Sequence, residues 1–263
     1  MNTLRKIELN NIEASQQVSK AHKKQLGQFF TSAKTAEFMA SLFSTELENI
    51  KLLDPGCGNA ILSSAFIMGL DSKNIKSIQL TLYEIDKSLE AGINDSIFMM
   101  KSSLGSSTSF NAKLKWESFL SEHAFQDNER YSHAILNPPY FKLNKFSKES
   151  NLLNEIGIKS PNAYSAFMML AITKLENDGE LVAIIPRSFT NGPYYKPFRE
   201  FILNNTSIEH IHVFDSRSSV FKTDNVLQEV IIIKCKKNSN QKEVVLTRSK
   251  DDSFIISRSE KLS

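Results

Sequence analysis

The sequence predicts an α/β protein built on a mostly parallel, doubly wound sheet with helices on both faces. Short strand-like runs recur along the chain, at Ile50–Leu53, Leu80–Tyr83, Ser132–Leu136 and Glu180–Ile185. Between them lie longer stretches with apolar positions at helical spacing, an alternation that marks βαβ units. The first three runs end on Asp54, Glu84 and Asn137, and sheets of this kind bind ligands at the carboxyl ends of their strands.

The chain has 263 residues, of which 41% are hydrophobic and 23% charged. That is enough for one sizeable domain, or a domain plus an appendage. The net charge of +3 is compatible with a polyanionic partner without demanding one. Cys57 and Cys235 lie far apart with no CxxC partner. Neither a disulfide framework nor a zinc site can be built from them, and a reducing compartment is expected. The N-terminus lacks the apolar core of a signal peptide, and no segment approaches the roughly 20 apolar residues of a membrane span. A cytoplasmic protein without a membrane partner is the expectation.

Residues 1–25 are polar and lysine-containing and read as a helical or loose arm. From Ala33 to Phe43, the residues Ala36, Met39, Ala40 and Phe43 share a helical face. Ile50–Leu53 is the first strand, and Ala60–Leu70 reads as a helix after the turn that follows it. The second strand, Leu80–Tyr83, leads past Glu84 into a helix beginning near Asp86. Lys101–Ser109 is serine-rich and reads as a loop. Ser132–Leu136 is a third strand, followed by a lysine-bearing linker over 142–160. Tyr164–Leu175 reads as a helix stopped by Asn177-Asp178-Gly179, and Glu180–Ile185 as a buried strand stopped at Pro186. Ile208–Phe214 and Val226–Ile233 are further strands. No internal repeat is evident.

Three strand ends carry chemistry. In Asp54-Pro55-Gly56-Cys57-Gly58 the glycines let the backbone turn sharply and approach a ligand with no Cβ in the way. The acidic residue can attract a charged amino group, although a plain strand-to-helix turn also welcomes glycine. Glu84 can accept hydrogen bonds from the ribose hydroxyls of a nucleoside; standing alone it would read as a solvated carboxylate. It follows Asp54 by 30 residues, longer than the roughly 20 of a dinucleotide fingerprint, and the third glycine of that fingerprint is missing. Both points favour a nucleoside cofactor such as S-adenosylmethionine (SAM) over NAD. In Asn137-Pro138-Pro139-Tyr140 the prolines lock the backbone and remove two N–H donors. The Asn137 side-chain oxygen and the Pro138 carbonyl can then both accept from one planar NH2 group. Such an amine is a poor nucleophile, and two acceptors would point its lone pair at a methyl donor. Tyr140 offers an aromatic face for stacking. The plain alternative is a Pro-Pro turn.

In order, Leu26-Gly27-Gln28-Phe29-Phe30-Thr31, the glycine loop, Glu84 and Asn137–Tyr140 resemble the gamma-class DNA adenine-N6 methyltransferases of bacterial restriction-modification systems, notably the TaqI-like and BsuBI/PstI-like members. The resemblance runs from about Leu26 to about Lys234. It implies a Rossmann-like SAM-dependent methyltransferase fold with a mostly parallel seven-stranded sheet and an antiparallel last hairpin. It also implies SAM as cofactor and double-stranded DNA as partner, with the target adenine flipped out. By resemblance Thr31 contacts the SAM carboxylate, although it would equally serve as an N-cap for the following helix. Asp54, Pro55, Gly56, Gly58, Glu84 and Ile85 line the cofactor. Glu117, with Ser118 beside it, matches the acidic residue that binds the adenine of SAM, where Asp is commoner. Asn137, Pro138, Pro139 and Tyr140 are the catalytic set. Phe221, in Val220–Val226, is the second aromatic on the flipped base, unless it is a core phenylalanine. No metal is required.

The implied organisation is an arm at 1–25, a SAM-binding catalytic domain at 26–236, and a tail or the start of a truncated target-recognition region at 237–263. Family members usually carry a long recognition domain, so a separate recognition chain or domain and a cognate restriction endonuclease are candidate partners. A protein-glutamine methyltransferase, an RNA adenine methyltransferase and a non-catalytic DNA-binding or assembly subunit remain open alternatives. The segment ahead of the glycine loop argues against the first. His133, His210 and His212 read as ordinary strand residues. Lys142, Lys145, Lys148 and Lys159 suit either phosphate contact or a solvated loop. The last thirty residues hold eight Lys/Arg against four Asp/Glu, a mild bias suited to backbone contact.

Overall fold

A computed structural model describes residues 4–9, 31–44, 46–71, 74–160, 162–215, 229–241 and 243–262. In chain order these form α1 (Ala33–Ser41), β1 (Asn49–Pro55), α2 (Ile61–Met68), β2 (Ser77–Tyr83), α3 (Glu90–Ser103), β3 (Ser109–Lys115), α4 (Glu122–Gln126) and β4 (Tyr131–Leu136). There follow α5 (Lys148–Glu155), α6 (Ala163–Lys174), β5 (Leu175–Pro186), α7 (Lys196–Asn205), β6 (Thr206–Phe214), β7 (Val230–Lys237), β8 (Val244–Ser249) and β9 (Ile256–Leu262). A helical segment at 4–9 buries Leu4 and Ile7.

One sheet runs β3-β2-β1-β4-β5-β7-β6-β8-β9. The pairs from β3 to β5 are parallel, and β7 lies antiparallel between β5 and β6. The expected parallel core and antiparallel hairpin are therefore present. The sheet has nine strands rather than the seven implied by resemblance, because β8 pairs parallel to β6 and β9 antiparallel to β8. The residues expected as a tail thus extend the sheet.

Alternate strand residues feed two cores. Leu52, Leu80, Ile135, Val182 and Ile232 pack with α1, α2 and α3 on one face. Leu53, Ala134, Leu136, Ala183 and Ile233 pack with α6 and α7 on the other. Period-2 alternation with apolar residues on both faces is what a covered parallel sheet requires.

Other expectations need correction. Ser132–Leu136 is the fourth strand, because Ser109–Lys115 forms β3. That edge strand alternates exposed and half-buried residues and lacks an apolar run. α3 extends to Ser103, so the serine-rich loop starts later, and α5 lies inside the 142–160 linker. β5 begins at Leu175, with Asp178 in left-handed backbone (φ 60°). The N-cap of α1 is Ser32, whose side chain accepts from the Thr35 N–H; it is not Thr31.

His212 is buried between β8 hydroxyls, 2.8 Å from Thr247 Oγ1 and 3.0 Å from Ser249 Oγ, and His210 also reaches Thr247. Burial lowers the pKa of His212 to about 4, so both histidines act as strand residues that bond the added β8. His133 is buried against Phe43 and Phe66. Among the described residues, no helix is long and apolar enough to cross a membrane.

Candidate functional site

Parallel pairing sets Asp54 opposite Leu82 and Pro55 opposite Tyr83, so the turns leaving β1 and β2 open at one edge. The Gly56 and Cys57 N–H groups donate to the Tyr83 carbonyl at 2.8 and 3.0 Å. The turn uses left-handed backbone at Gly56 (φ 75°), Gly58 (φ 53°) and Ala60 (φ 58°). Glycine adopts this freely, whereas at Ala60 it costs roughly 1–2 kcal/mol. Ala60 is the N-cap of α2 and has no side-chain cap to offer.

Asp54 fills that gap. It is fully buried, and its Oδ2 accepts the Ser63 N–H at 3.3 Å and the Ser63 hydroxyl at 2.5 Å. One orphan N–H of the α2 terminus is thereby satisfied. Asp54 Oδ1 has no partner among the described residues. Burial pushes the carboxyl up to about 7, against the lowering effect of the Ser63 bonds and with the Glu84 charge adding to the rise. A buried oxygen left without a donor costs on the order of 1–3 kcal/mol. A cationic ligand bearing N–H groups fits this position.

Glu84 organises the loop from the other side. Its Oε2 accepts the Gly58 N–H at 2.9 Å, and its Oε1 accepts from Ile85 and Asp86 at 2.8 and 2.9 Å. Burial raises its pKa while these backbone bonds lower it. Three of a carboxylate's roughly four acceptor positions are thus in use. Accepting two ligand hydroxyls at once would displace one backbone bond. Ile85 is exposed beside it. Beneath the loop, the Asn59 carbonyl accepts from Ser96 Oγ at 2.7 Å. A Cβ added at Gly92 would stand 2.9 Å from Asn59 Cγ, so α3 packs closely under the turn.

β4 is parallel to β1, with His133 and Ala134 opposite Leu52 and Leu53; Asn137 leaves the sheet beside the glycine loop. Asn137 Nδ2 donates to Thr31 Oγ1 at 3.0 Å across 106 residues. Thr31 and Pro138 are buried, and Asn137, Pro139 and Tyr140 are half-buried. The Tyr140 hydroxyl lies 3.1 Å from Asn137 Oδ1 and 3.0 Å from the Ile184 carbonyl. Its one proton serves one of them at a time. Burial holds the Tyr140 pKa well above its ordinary value, so the group stays protonated.

The structure therefore brings Thr31 to Asn137 and Tyr140, and ties Asp54, Gly58 and Glu84 together around the loop. Glu117 follows β3, but its Oε2 accepts from Ser121 Oγ at 2.7 Å and lies 3.3 Å from His123 Nδ1, within its own turn. Ser118 Oγ accepts from the Leu120 N–H. Phe221 lies outside the described residues. Ser63 carries no signal in the sequence, because its bond to Asp54 depends on α2 pointing back at β1. The Ile184 carbonyl is a backbone group that a side-chain motif cannot register, and Phe146 is 89% exposed between Lys145 and Lys148. An aromatic interleaved with lysines is the signal that could have found it. Cys57 is buried and burial raises its pKa, which keeps the thiol protonated. Lys148 pairs with Glu122 at 2.7 Å.

Residues 70–221 match the family model of the Eco57I restriction-modification methylases. The chain is 44% identical over 245 residues to the type II methyltransferase M.BsuBI of Bacillus subtilis, covering 90% of this chain and 49% of that protein. To M.PstI of Providencia stuartii it is 39% identical, covering 85% of this chain and 45% of that protein. The chain spans about half the length of these curated relatives. Its fold is similar to that of a Listeria monocytogenes protein assigned to the class I S-adenosylmethionine-dependent methyltransferases. The TM-score is 0.72 and the identity 16%, over 95% of this chain and 73% of that one. At that identity the likeness speaks for the fold alone.

Proposed function

This chain belongs to the Eco57I restriction-modification methylase family, and from that premise we propose that it transfers the methyl group of SAM to the N6 amino group of adenine in DNA. The observation that carries this reading is the juxtaposition at adjacent strand ends. The Asn137–Tyr140 acceptor turn leaves β4 beside β1 and its glycine loop, where the buried Asp54 Oδ1 has no partner among the described residues.

When bound, SAM supplies an electrophilic methyl on a cationic sulfonium. Asp54 provides the negative charge that favours a cation, and Gly56 and Gly58 allow close approach of the backbone. Pro55, Glu84, Ile85, Glu117 and Ser118 would line the nucleoside of SAM, and Thr31 would meet its carboxylate end. Asn137 Oδ1 and the Pro138 carbonyl each accept one N–H of the target amine, localising its lone pair toward the methyl. Pro139 stiffens the turn. Tyr140 stacks on the base, with Phe221 as its second aromatic wall. An adenine within duplex DNA reaches such a site only by flipping out of the stack. Positioning would supply much of the rate gain; as the N–C bond forms the bond from sulfur to the methyl breaks, the cofactor leaves as a neutral thioether, and the amine sheds one proton to solvent.

Phe146 with Lys142 and Lys145 is suited to the DNA backbone beside the site. Sequence recognition comes from a further domain or a separate chain, with a cognate endonuclease as companion in a bacterial cytoplasm. The test is transfer of labelled methyl from SAM to unmethylated genomic DNA, total RNA and protein extract in parallel. Label confined to DNA supports the reading. Label in RNA or protein transfers the same chemistry to another substrate and overturns it.

A further inference from the structure

We propose that Thr31 is a positioning residue for Asn137, holding the end of its amide that lets the other end accept the reacting amine. This rests on the reading of Asn137 as that acceptor. A side-chain amide has two unlike ends, one with two N–H donors and one with acceptor lone pairs. Only the oxygen end can serve an NH2 group; a reversed amide would set N–H against N–H.

In the structure, Asn137 Nδ2 faces Thr31 Oγ1 at 3.0 Å and Oδ1 faces the Tyr140 hydroxyl at 3.1 Å. For the amide to turn over, Thr31 would have to change from acceptor to donor, while Tyr140 could accept from Nδ2 and give its own proton to the Ile184 carbonyl; the reversal falls on Thr31. Thr31 is well placed to resist that reversal. It is buried, with 5% exposure, and its β-branched side chain has restricted χ1 freedom. It immediately precedes Ser32, whose side chain caps α1 and whose carbonyl accepts the Ala36 N–H at 3.0 Å. Ala33, next along, donates its N–H to Glu8 Oε1 at 3.2 Å. The hydroxyl is thus mounted on an anchored helix start, and the amide on a turn stiffened by two prolines. Thr31 belongs on this account to the alignment of the substrate amine as well as to the cofactor.

The experiment compares wild type with Thr31→Val, which keeps the shape and removes the oxygen, and Thr31→Ser, which keeps the oxygen. The readouts are kcat at saturating SAM and DNA, SAM affinity by calorimetry, and the Asn137 side-chain NH2 resonances by 15N NMR. The expected result is a fall in kcat of about tenfold in Thr31→Val, the size of one lost hydrogen bond, with SAM affinity changing by less. Thr31→Ser restores kcat, and the Asn137 resonances move in the Val variant and not in the Ser variant. Weaker SAM binding with unchanged kcat would confine Thr31 to the cofactor and overturn the proposal, as would unmoved Asn137 resonances. If wild type methylates no substrate, the functional reading fails, and the resonances alone decide whether Thr31 holds the amide.

Discussion

If SAM binds beside the buried carboxylate of Asp54, as proposed, its affinity depends on pH in a defined direction. The Asp54 pKa stands at about 7 because burial outweighs the two hydrogen bonds from Ser63. A cation bound beside it selects the ionised form. If only that form binds, the apparent dissociation constant rises by a factor of 1 + 10^(7 − pH), negligible at about pH 8 and roughly tenfold by about pH 6. Without SAM the sign is opposite for stability. A carboxyl whose folded pKa lies above its unfolded value of 3.8 contributes stability that is fully present below the unfolded value and is lost as pH rises toward 7. Weaker binding at low pH is therefore separable from acid unfolding. Calorimetric titration of SAM at pH 8, 7 and 6 measures the effect, and Asp54→Asn should flatten it. Ser63→Ala removes a bond that lowers the pKa and should move the midpoint upward. Affinity that is level between pH 8 and 6, or a slope that survives in Asp54→Asn, would refute the reasoning.

Three other outcomes follow from the packing and charge. Gly92→Ala drives a Cβ into Asn59 beneath the glycine loop; overpacking of this kind costs about 1–3 kcal/mol, so both the melting temperature and SAM affinity should fall. Lys234 lies buried between Glu180 at 3.1 Å and Glu209 at 2.9 Å. Lys234→Met should destabilise by about 3–5 kcal/mol, and adding Glu180→Gln should recover part of the loss in denaturant titrations. The chain alone is expected to bind DNA weakly, with affinity falling steeply as salt is raised; gel shifts showing tight sequence-specific binding at physiological salt would contradict this.

Much of the site was legible because chemistry-bearing residues follow apolar runs. Asp54, Glu84 and Asn137 stand at the ends of β1, β2 and β4, where strand length and turn residues coincide. The elements that escaped lack such contrast. β3 is an edge strand whose Asn111, Lys113 and Lys115 interrupt its apolar residues. β9 is exposed along most of its length, so burial leaves no pattern to read. Thr31 with Asn137, and Ser63 with Asp54, show a different limit. Each residue type was readable, but the pairings arise only when helices return across the strand ends. Glu117 illustrates the converse, a residue in the expected place whose hydrogen bonds stay within its own turn.

The central claim is tested most directly by methyl transfer from labelled SAM to unmethylated genomic DNA, with product nucleosides identified by mass and Asn137→Ala run alongside. The account predicts N6-methyladenine in the wild-type reaction and its loss in the variant, with SAM still bound by both. Methylation that persists in Asn137→Ala, or a product other than N6-methyladenine, would contradict it.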